Sequence, residues 1–289
     1  MATITSAPDH TTVYEPSTLG LPPMRPYVLG VWQRRSFIWE MARTKLKAEH
    51  YNTVLGQVWI LLDPLLMAAV YLLLRTVIRP MGSPEERWAL IAHLIVAIFF
   101  FSYVRKAVNA GSKAVTGNKA LVLNTAFPRG VLPVEAIIRA FLGFLPMLVI
   151  YVPLHALLGQ PFGFEALLFL PVLLALMTVF NFGLVCLLAP LTVFFRDTES
   201  FITYLVRIWF FTTPILWTVA EMSERVPENI QTWLRWNPLF PYFAMLEQIW
   251  DAQVPSAAYL LQATGWGLLM VIVGVPVFLL RERDFAVRL

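Results

Sequence analysis

The sequence predicts an all-α integral membrane protein with six transmembrane helices, and three observations lead to that prediction. The 289 residues are 58% hydrophobic and only 14% charged, whereas soluble domains contain about 45–50% apolar and about 25% charged residues. The mean hydropathy is +0.67. Six separate stretches are apolar over the roughly 20 residues that a helix needs to cross a bilayer. The single cysteine, Cys186, excludes an internal disulfide framework.

The predicted spans differ in length and polarity. The second is short and contains His93, the fourth is long enough to tilt or bend, and the fifth contains Arg207. With their connections they form a predicted transmembrane domain over residues 54–280, followed by a tail over 281–289. The spans are Val54–Leu74, Trp88–Val104, Val131–Leu158, Phe164–Phe195, Phe201–Ala220 and Ala257–Leu280.

Two segments precede the first span. Residues 1–26 are rich in Thr, Ser and Pro and do not have the pattern of a signal peptide, so we expect a disordered cytoplasmic N-terminus. Residues 27–53 carry an apolar stripe at helical spacing together with Trp32 and Trp39. This pattern is typical of an amphipathic helix lying in the membrane interface. The alternative is a soluble helix docked on a partner.

The distribution of Lys and Arg predicts the orientation. Six spans place both termini on one side of the membrane. Fifteen basic residues fall in the N-terminal segment, the loop over 105–130, the loop after the fourth span and the tail, against four in the opposite loops. Because cytoplasmic loops carry the excess of positive charge, we expect both termini in the cytoplasm.

The outer segment over 221–256 is too apolar and aromatic to lie in water. It is interrupted at Asn237-Pro238 and at Pro241, and it is too short to span. We therefore expect a re-entrant pair of short helices surrounded by protein. The alternative is a helical hairpin on the surface.

Ionisable groups inside spans are expensive unless they are paired or hydrated. Asp63 precedes Pro64 midway through the first span, and it fits either a hydrated cavity or a pair with a neighbouring donor. Glu135 and Arg139 are four residues apart in the third span, a spacing that favours a local ion pair. Arg207 has no obvious local partner in the sequence.

The sequence carries little that indicates catalysis. It contains no H-E-x-x-H or G-x-S-x-G motif, and its four histidines do not have metal-ligand spacing. The stretch Gly111–Lys119 fails the spacing of a phosphate-binding loop, with Asn118 at the lysine position. We expect no metal, and no ATP bound by this chain. A membrane-embedded glycosyl- or acyltransferase, the rival class, would have only Asp197 and Glu199 as paired carboxylates.

Aromatic residues run through the whole fifth span. Phe201, Tyr204, Ile208 and Phe211 share one face at helical spacing. Aromatic faces pack against sugar rings as well as against lipid, so this face fits either a sugar-conducting lining or a lipid-facing surface.

Four segments, in order and at matching topological positions, resemble the permease subunit of ABC-2-type polysaccharide exporters, the Wzm, TagG and KpsM group. The resemblance covers roughly residues 30–285. Thr53 stands where the family has Ser, and Asp63 precedes the family's Pro. The segments are His50–Pro64 (HYNTVLGQVWILLDP), Asn124–Pro133 (NTAFPRGVLP), Phe194–Trp217 (FFRDTESFITYLVRIWFFTTPILW) and Trp236–Gln248 (WNPLFPYFAMLEQ).

The resemblance implies half of a homodimeric channel in the bacterial inner membrane, with two copies of a separate ATPase subunit that binds ATP and Mg. It implies no nucleic acid partner. The cargo would be a glycan on a polyprenyl diphosphate lipid, which we expect to be of the O-antigen or galactan type. Teichoic acid, capsule, and a drug or small lipid are the alternatives, as is a passive channel.

The same resemblance assigns roles to residues. It places a cytoplasmic coupling helix over residues 110–123, and the coupling residues are Lys113, Asn118, Lys119, Phe127, Pro128 and Arg129. The residues expected to line the channel and contact glycan are Phe201, Tyr204, Phe211, Trp59, Asp63 and Tyr71. The outer gate comprises Trp236, Asn237, Pro238 and Tyr242. The candidates for contact with the diphosphate headgroup are Arg34, Arg35 and Arg196, whose charges positive-inside topology alone also explains.

Overall fold

The computed structural model describes residues 22–49, 51, 53–78, 83–161, 163–195 and 197–289. Every regular element in these ranges is helical, as the composition predicts. Most of the segment predicted to be disordered, residues 1–21, lies outside them. The α-helices are α1 (Met24–Gln33), α2 (Arg35–Ala48), α3 (Trp59–Ile78), α4 (Pro84–Ser112), α5 (Lys119–Asn124), α6 (Val131–Leu157), α7 (Phe164–Leu167), α8 (Leu170–Phe194), α9 (Thr198–Thr212), α10 (Val219–Arg225), α11 (Glu228–Arg235), α12 (Phe240–Trp250), α13 (Ala257–Arg281) and α14 (Phe285–Arg288).

Five helical segments of the described chain are long and apolar enough to cross a membrane. They correspond to the first, second, third, fourth and sixth predicted spans, so the protein is a multi-pass membrane protein. Their bounds are Gly56–Val77, Pro84–Ser112, Val131–Leu157, Leu170–Phe194 and Ala257–Arg288.

The predicted fifth span, Phe201–Ala220, does not form one continuous helix. α9 has 15 residues and ends at Thr212, a length of about 22 Å at 1.5 Å per residue. Thr213 is extended, with ψ 147°, because the ring of Pro214 disfavours a helical conformation in the residue before it.

The second span is longer than the sequence predicts. α4 begins at Pro84, where the Ser83 hydroxyl accepts a hydrogen bond from the Glu86 amide at 3.3 Å, and it continues to Ser112. The prediction ended at Val104 because two cations follow. Both have partners in the structure, since Arg105 pairs with Asp63 and Lys106 donates to a backbone carbonyl, and the helix continues through them.

Two other predicted helices are divided. The amphipathic helix predicted over 27–53 breaks at Arg34 into α1 and α2, and α2 ends at Ala48. α1 begins at Met24, inside the segment predicted to be disordered, and Pro26 fits the first turn of this helix. The fourth span divides into α7 and α8. Pro171 is the second residue of α8, and proline is favoured in the first turn of a helix.

The core is built around α4, which packs against α3, α6, α8, α9 and α12. The closest helix contact joins α8 to α13 through two glycines. A Cβ atom added at Gly274 would lie 2.0 Å from the carbonyl oxygen of Gly183. Small residues allow helix backbones to approach this closely in membrane proteins, so this pair fixes the crossing of the two helices.

Contacts at one end of the bundle join the segments that the charge distribution groups together. The Tyr27 hydroxyl donates to Glu282 Oε2 at 2.5 Å. Lys119 donates to the backbone oxygen of Leu289, and Arg129 donates to the backbone oxygen of Glu282. The N-terminal helices, the 110–130 segment and the C-terminus therefore meet at this end.

The opposite end is closed by the outer segment. Arg75, near the end of α3, pairs with Glu221 and donates to the backbone oxygen of Leu216 at 3.2 Å. The segment forms three short helices, α10, α11 and α12, rather than the predicted pair. Nearly all of α12 is buried, which agrees with the expectation that protein surrounds it. The Glu247 carboxylate accepts hydrogen bonds from the Val219 amide at 3.0 and 3.2 Å, which joins α12 to α10.

Candidate functional site

Three neighbouring cavities form a furrow along α3 and α4, which we call the α3–α4 furrow. Their volumes are about 260, 390 and 280 Å³. The first and second share Glu49, Lys106 and Asn109, and the second and third share Arg105. The shared walls make one path from the end that holds the chain termini towards the middle of the bundle.

The first cavity is strongly cationic. Lys106, Lys113 and Arg139 line it together with Glu49. The Lys106 ammonium donates to the Gly143 carbonyl at 3.0 Å. These cations lie where the path begins.

The second cavity contains an ion pair between two helices. Arg105 Nη2 of α4 lies 2.7 Å from Asp63 Oδ2 of α3, and the Asp63 side chain is 57% exposed. Asp63 pairs with a neighbouring donor, as one of its two interpretations predicts, and it also lines a cavity. Trp59 lies in the same wall.

Aromatic side chains form part of the wall of the third cavity, which lies between α3, α4 and α9. Tyr71, Phe101, Phe210 and Phe211 line it, and Arg207 adds a cation. The rings of Tyr71 and Phe210 are 4.9 Å apart, and those of Phe101 and Phe210 are 5.1 Å apart. The furrow therefore changes character along its length: Arg139, Lys113, Lys106 and Arg105 come first, and the aromatic rings with Arg207 follow.

The exposed face of α9 matches the face that the sequence predicts. Phe201, Tyr204, Ile208 and Phe211 are 74%, 61%, 58% and 52% exposed. Phe211 also lines the third cavity, whereas Phe201 and Tyr204 line none of the three. The Arg207 guanidinium lies 5.8 Å from the centre of the Tyr204 ring, a cation–π contact that supplies a partner the sequence does not indicate.

The four residues predicted as an outer gate lie in the outer segment, and two of them hold helices together. Asn237 donates to the hydroxyls of Thr212 and Thr213 at 3.0 and 2.9 Å, and so fastens the segment to the end of α9. Tyr242 is buried and donates to the Ala263 carbonyl at 2.7 Å. Trp236 is 68% exposed, and Pro238 is half-buried beside it.

The segment predicted as one coupling helix has three parts: the end of α4, a 3₁₀ turn over Thr116–Asn118, and α5. The Asn118 amide donates to the Ala114 carbonyl at 2.7 Å, which stabilises the turn. Lys113 caps the end of α4. Phe127, Pro128 and Arg129 follow α5, and Pro128 lies against Gly30 of α1.

A buried polar junction connects this segment to the spans. The Glu135 carboxylate of α6 is fully buried and lies 3.0 Å from both Lys45 Nζ and Arg139 Nε. Lys45 also donates to Asn118 Oδ1 at 2.9 Å, and Arg139 lies 2.9 Å from Glu49. The predicted pair of Glu135 and Arg139 is confirmed, and α2 and the coupling segment are joined to it.

The surroundings in this region shift the pKa values of Lys45 and Tyr27. Burial lowers the pKa of the Lys45 ammonium, and the Glu135 carboxylate beside it opposes that shift. Burial and the nearby Glu282 carboxylate raise the pKa of the Tyr27 hydroxyl. Tyr27 therefore stays protonated and donates a hydrogen bond to Glu282, while it accepts a hydrogen bond from the Gly130 amide at 2.7 Å.

The predicted headgroup residues do not come together with the furrow. Arg34 donates to the Gly30 carbonyl at 3.0 Å, and Arg35 lies 5.6 Å from the centre of the Trp32 ring. Arg196 lies outside the described residues. Sequence reasoning instead missed Arg105 and Lys106, which it counted as loop charges. The signal that could have found them is their position directly after an apolar run, opposite Asp63.

The described residues also bear on whether the site could hold a metal ion. Among the described residues there is no group of three or more His, Cys, Asp or Glu that could hold a metal ion. The structure therefore combines apolar spanning helices with a furrow lined by cations and aromatic rings.

The relatives of this chain are permeases. It is similar to the O-antigen export system permease protein RfbA of Myxococcus xanthus, with 26% identity over 264 residues, 90% of this chain and 97% of the relative. Two proteins of the same name from Klebsiella pneumoniae are 24% and 23% identical over 241 residues, 83% of this chain and 90% of each relative. No protein-family model matches the chain. The resemblance to permease subunits of polysaccharide exporters is therefore confirmed.

Proposed function

We propose that this chain is the transmembrane permease subunit of an ATP-driven transporter that exports a polyprenyl-diphosphate-linked polysaccharide of the O-antigen or galactan type. The observation that carries the proposal is the α3–α4 furrow, in a chain similar to O-antigen export permeases over most of its length. Teichoic acid and capsule are the alternative cargoes within the same class.

The furrow suits the two chemical parts of such a cargo. Cationic side chains attract and hydrogen-bond phosphate oxygens, and these bonds are strong because they are charge-assisted. Aromatic faces pack on the apolar faces of sugar rings without regard to their order. The cations near the chain termini would hold the diphosphate, and the rings of the third cavity would contact the glycan that follows.

A second copy of the chain would complete the channel. The outer faces of α3 and α9 beside the furrow are apolar and exposed, with Leu73 at 68% and Ile208 at 58%. Two such faces opposed in a homodimer would enclose the furrow.

α9 supports a sixth crossing despite its length. It begins next to α8, whose last residue, Phe194, lies under Arg281 and Arg288 of the C-terminal end. It ends where Asn237 binds Thr212, at the level of the outer segment. Six crossings would place both termini in the cytoplasm of a bacterium, with the protein in its inner membrane.

The motor would be two copies of a separate ATPase subunit that binds ATP and Mg. Its docking surface would be the coupling segment with Lys113, Lys119 and Arg129. Movement there would reach α6 through Asn118 and Lys45, which connect the 3₁₀ turn to the buried Glu135.

The test replaces the chromosomal gene by Arg105→Gln in the source bacterium. Loss of one charge-assisted contact to phosphate, worth about 1.5–3 kcal/mol, should lower export by about tenfold or more. Surface polysaccharide and lipid-linked glycan retained in the inner membrane are measured together. Arg87→Gln is the matched control, since Arg87 is exposed on α4 and does not line the furrow.

Normal export by Arg105→Gln would remove the furrow from the pathway. A gene deletion that leaves no lipid-linked glycan behind would favour export of a drug or small lipid. ATP hydrolysis by the pure chain would overturn the role of a permease subunit.

A further inference from the structure

We propose that a separate cavity, under α1, binds one acyl chain of an anionic phospholipid whose phosphate is held by Arg35. We call it the α1 cavity. It lies between α1, the start of α2 and the helices α6, α8 and α13, and its volume is about 400 Å³. The proposal requires only that the chain lies in a membrane, and it is separate from the route of the exported molecule.

The wall of the α1 cavity is apolar. Aliphatic and aromatic side chains from every surrounding helix contribute to it. Its volume lies within the range of pockets that hold small ligands, and a cavity lined in this way favours a hydrocarbon chain over any polar group. The wall includes Val31, Ile138, Phe182, Val275, Phe278 and Leu279.

The polar groups in the wall leave one place for a headgroup. The Tyr27 hydroxyl is already engaged by Glu282 and the Gly130 amide. Cys186 is buried. Arg35 is exposed at the rim, and within the part of the chain that the structure describes it contacts Trp32 but no carboxylate. Its guanidinium is the donor that matches a phosphate, with two parallel N–H groups.

The surroundings favour a phospholipid as the occupant. Val28, Leu29 and Trp32 leave an exposed apolar surface on α1, at 57%, 51% and 65%. A helix with such a surface lies among lipid headgroups, and its Trp lies at the interface. A lipid beside it has its phosphate at the level of Arg35 and its chains pointing towards the cavity. Because an anionic lipid adds a net negative charge that a zwitterionic lipid does not, Arg35 selects the former.

The α1 cavity and the α3–α4 furrow share no lining residue. A lipid in the cavity would join α1 to α6, α8 and α13 next to Gly130. It would therefore act as a structural ligand at the end of the bundle where the coupling segment lies.

The experiment measures lipid retained by the full-length protein. The protein is reconstituted in bilayers of equal parts phosphatidylglycerol and phosphatidylcholine, extracted in mild detergent and examined by native mass spectrometry. One phospholipid per chain should remain, with phosphatidylglycerol preferred about fivefold, the ratio that corresponds to one Arg near an anionic headgroup.

Variants separate the chain site from the headgroup site. Val275→Trp fills the cavity and should abolish retention, and Ile138→Phe does the same from α6 if the first variant does not fold. Arg35→Gln should keep one lipid but lose the preference for phosphatidylglycerol. Leu29→Trp and Arg43→Gln are the matched controls, because neither residue lines the cavity, and both should behave as wild type.

Several outcomes would overturn the proposal: no retained lipid in wild type, retention unchanged in both filled variants, an unchanged preference in Arg35→Gln, or loss of retention in Leu29→Trp. A polyprenyl lipid retained in place of phospholipid in protein from the source bacterium would also overturn it. The proposed export function would survive each of these results, because the test does not measure export.

Discussion

Two helix junctions in this protein are held by opposite means. α8 and α13 meet through backbone at Gly183 and Gly274, with no side chain between them. α2 and α6 meet through Lys45 and the buried Glu135, with Arg139 completing the group. The first junction has no adjustable part, because close-packed backbone tolerates one geometry. The second is made of long side chains that can exchange partners.

The difference separates a rigid junction from an adjustable one. The glycine junction joins two spans far from the coupling segment in sequence, and it suits a fixed scaffold. The ionic junction contacts Asn118 of that segment directly. A buried ion pair adds little net stability compared with apolar packing, so we infer that its value here is its connection to the coupling segment.

The largest expected effect comes from Glu135→Leu. It leaves Lys45 and Arg139 without the carboxylate that they share, and breaking a buried pair in this way costs about 3–5 kcal/mol. Unfolding in detergent, followed by circular dichroism, measures the loss. Glu49→Gln is the control, because Glu49 is 37% exposed and such pairs contribute about 0–1 kcal/mol. An equal decrease in the unfolding free energy of the two variants would show that breaking the buried pair of Glu135 is no more destabilising than breaking the exposed pair of Glu49.

Gly274→Ala should have a smaller effect at the other junction. Its new Cβ meets backbone, which cannot rotate away, and overpacking of this kind costs about 1–3 kcal/mol. Gly265→Ala, in the same helix, has nothing within 4 Å of its Cβ and should be neutral or stabilising by up to about 1 kcal/mol. The two variants are compared by thermal unfolding in detergent, and similar stabilities would show that α8 and α13 separate easily.

The same contrast explains what could be predicted from the sequence. The long spans follow from hydropathy, because a membrane forces backbone polar groups into helices. The pair of Glu135 and Arg139 follows from a spacing of four residues. The partners Lys45 and Glu49 do not, because they lie in α2 and directly after it, 90 residues away in the sequence, and no local pattern indicates contacts at that separation.

The same limit applies to the residues of the furrow. Trp59, Asp63, Tyr71 and Phe211 were predicted to line the channel, and the structure brings them to one path. Arg105 was missed, because its role depends on α4 continuing past its charges towards Asp63. The end of α9 follows from a local signal, because Pro214 disfavours a helical conformation at Thr213. The prediction of one continuous span was based instead on the apolar composition of the residues on both sides.

The smallest expected change in stability gives the sharpest test of the comparison. Combining Lys45→Met, Glu135→Leu and Arg139→Met converts the ionic junction into an apolar one of similar volume. Replacements of this kind are neutral or stabilising by about 1–4 kcal/mol, so the unfolding free energy should return to at least the wild-type value. If the ionic junction transmits movement from the coupling segment to α6, polysaccharide export should be lower in this stable variant than in Arg139→Met alone, which removes the same furrow cation but keeps Lys45 paired with Glu135. Wild-type export would instead show that the ionic junction has only a structural role, like the contact between Gly183 and Gly274. Movement of the coupling segment would then have to reach the spans through Tyr27, Arg129 and the C-terminal end of α13.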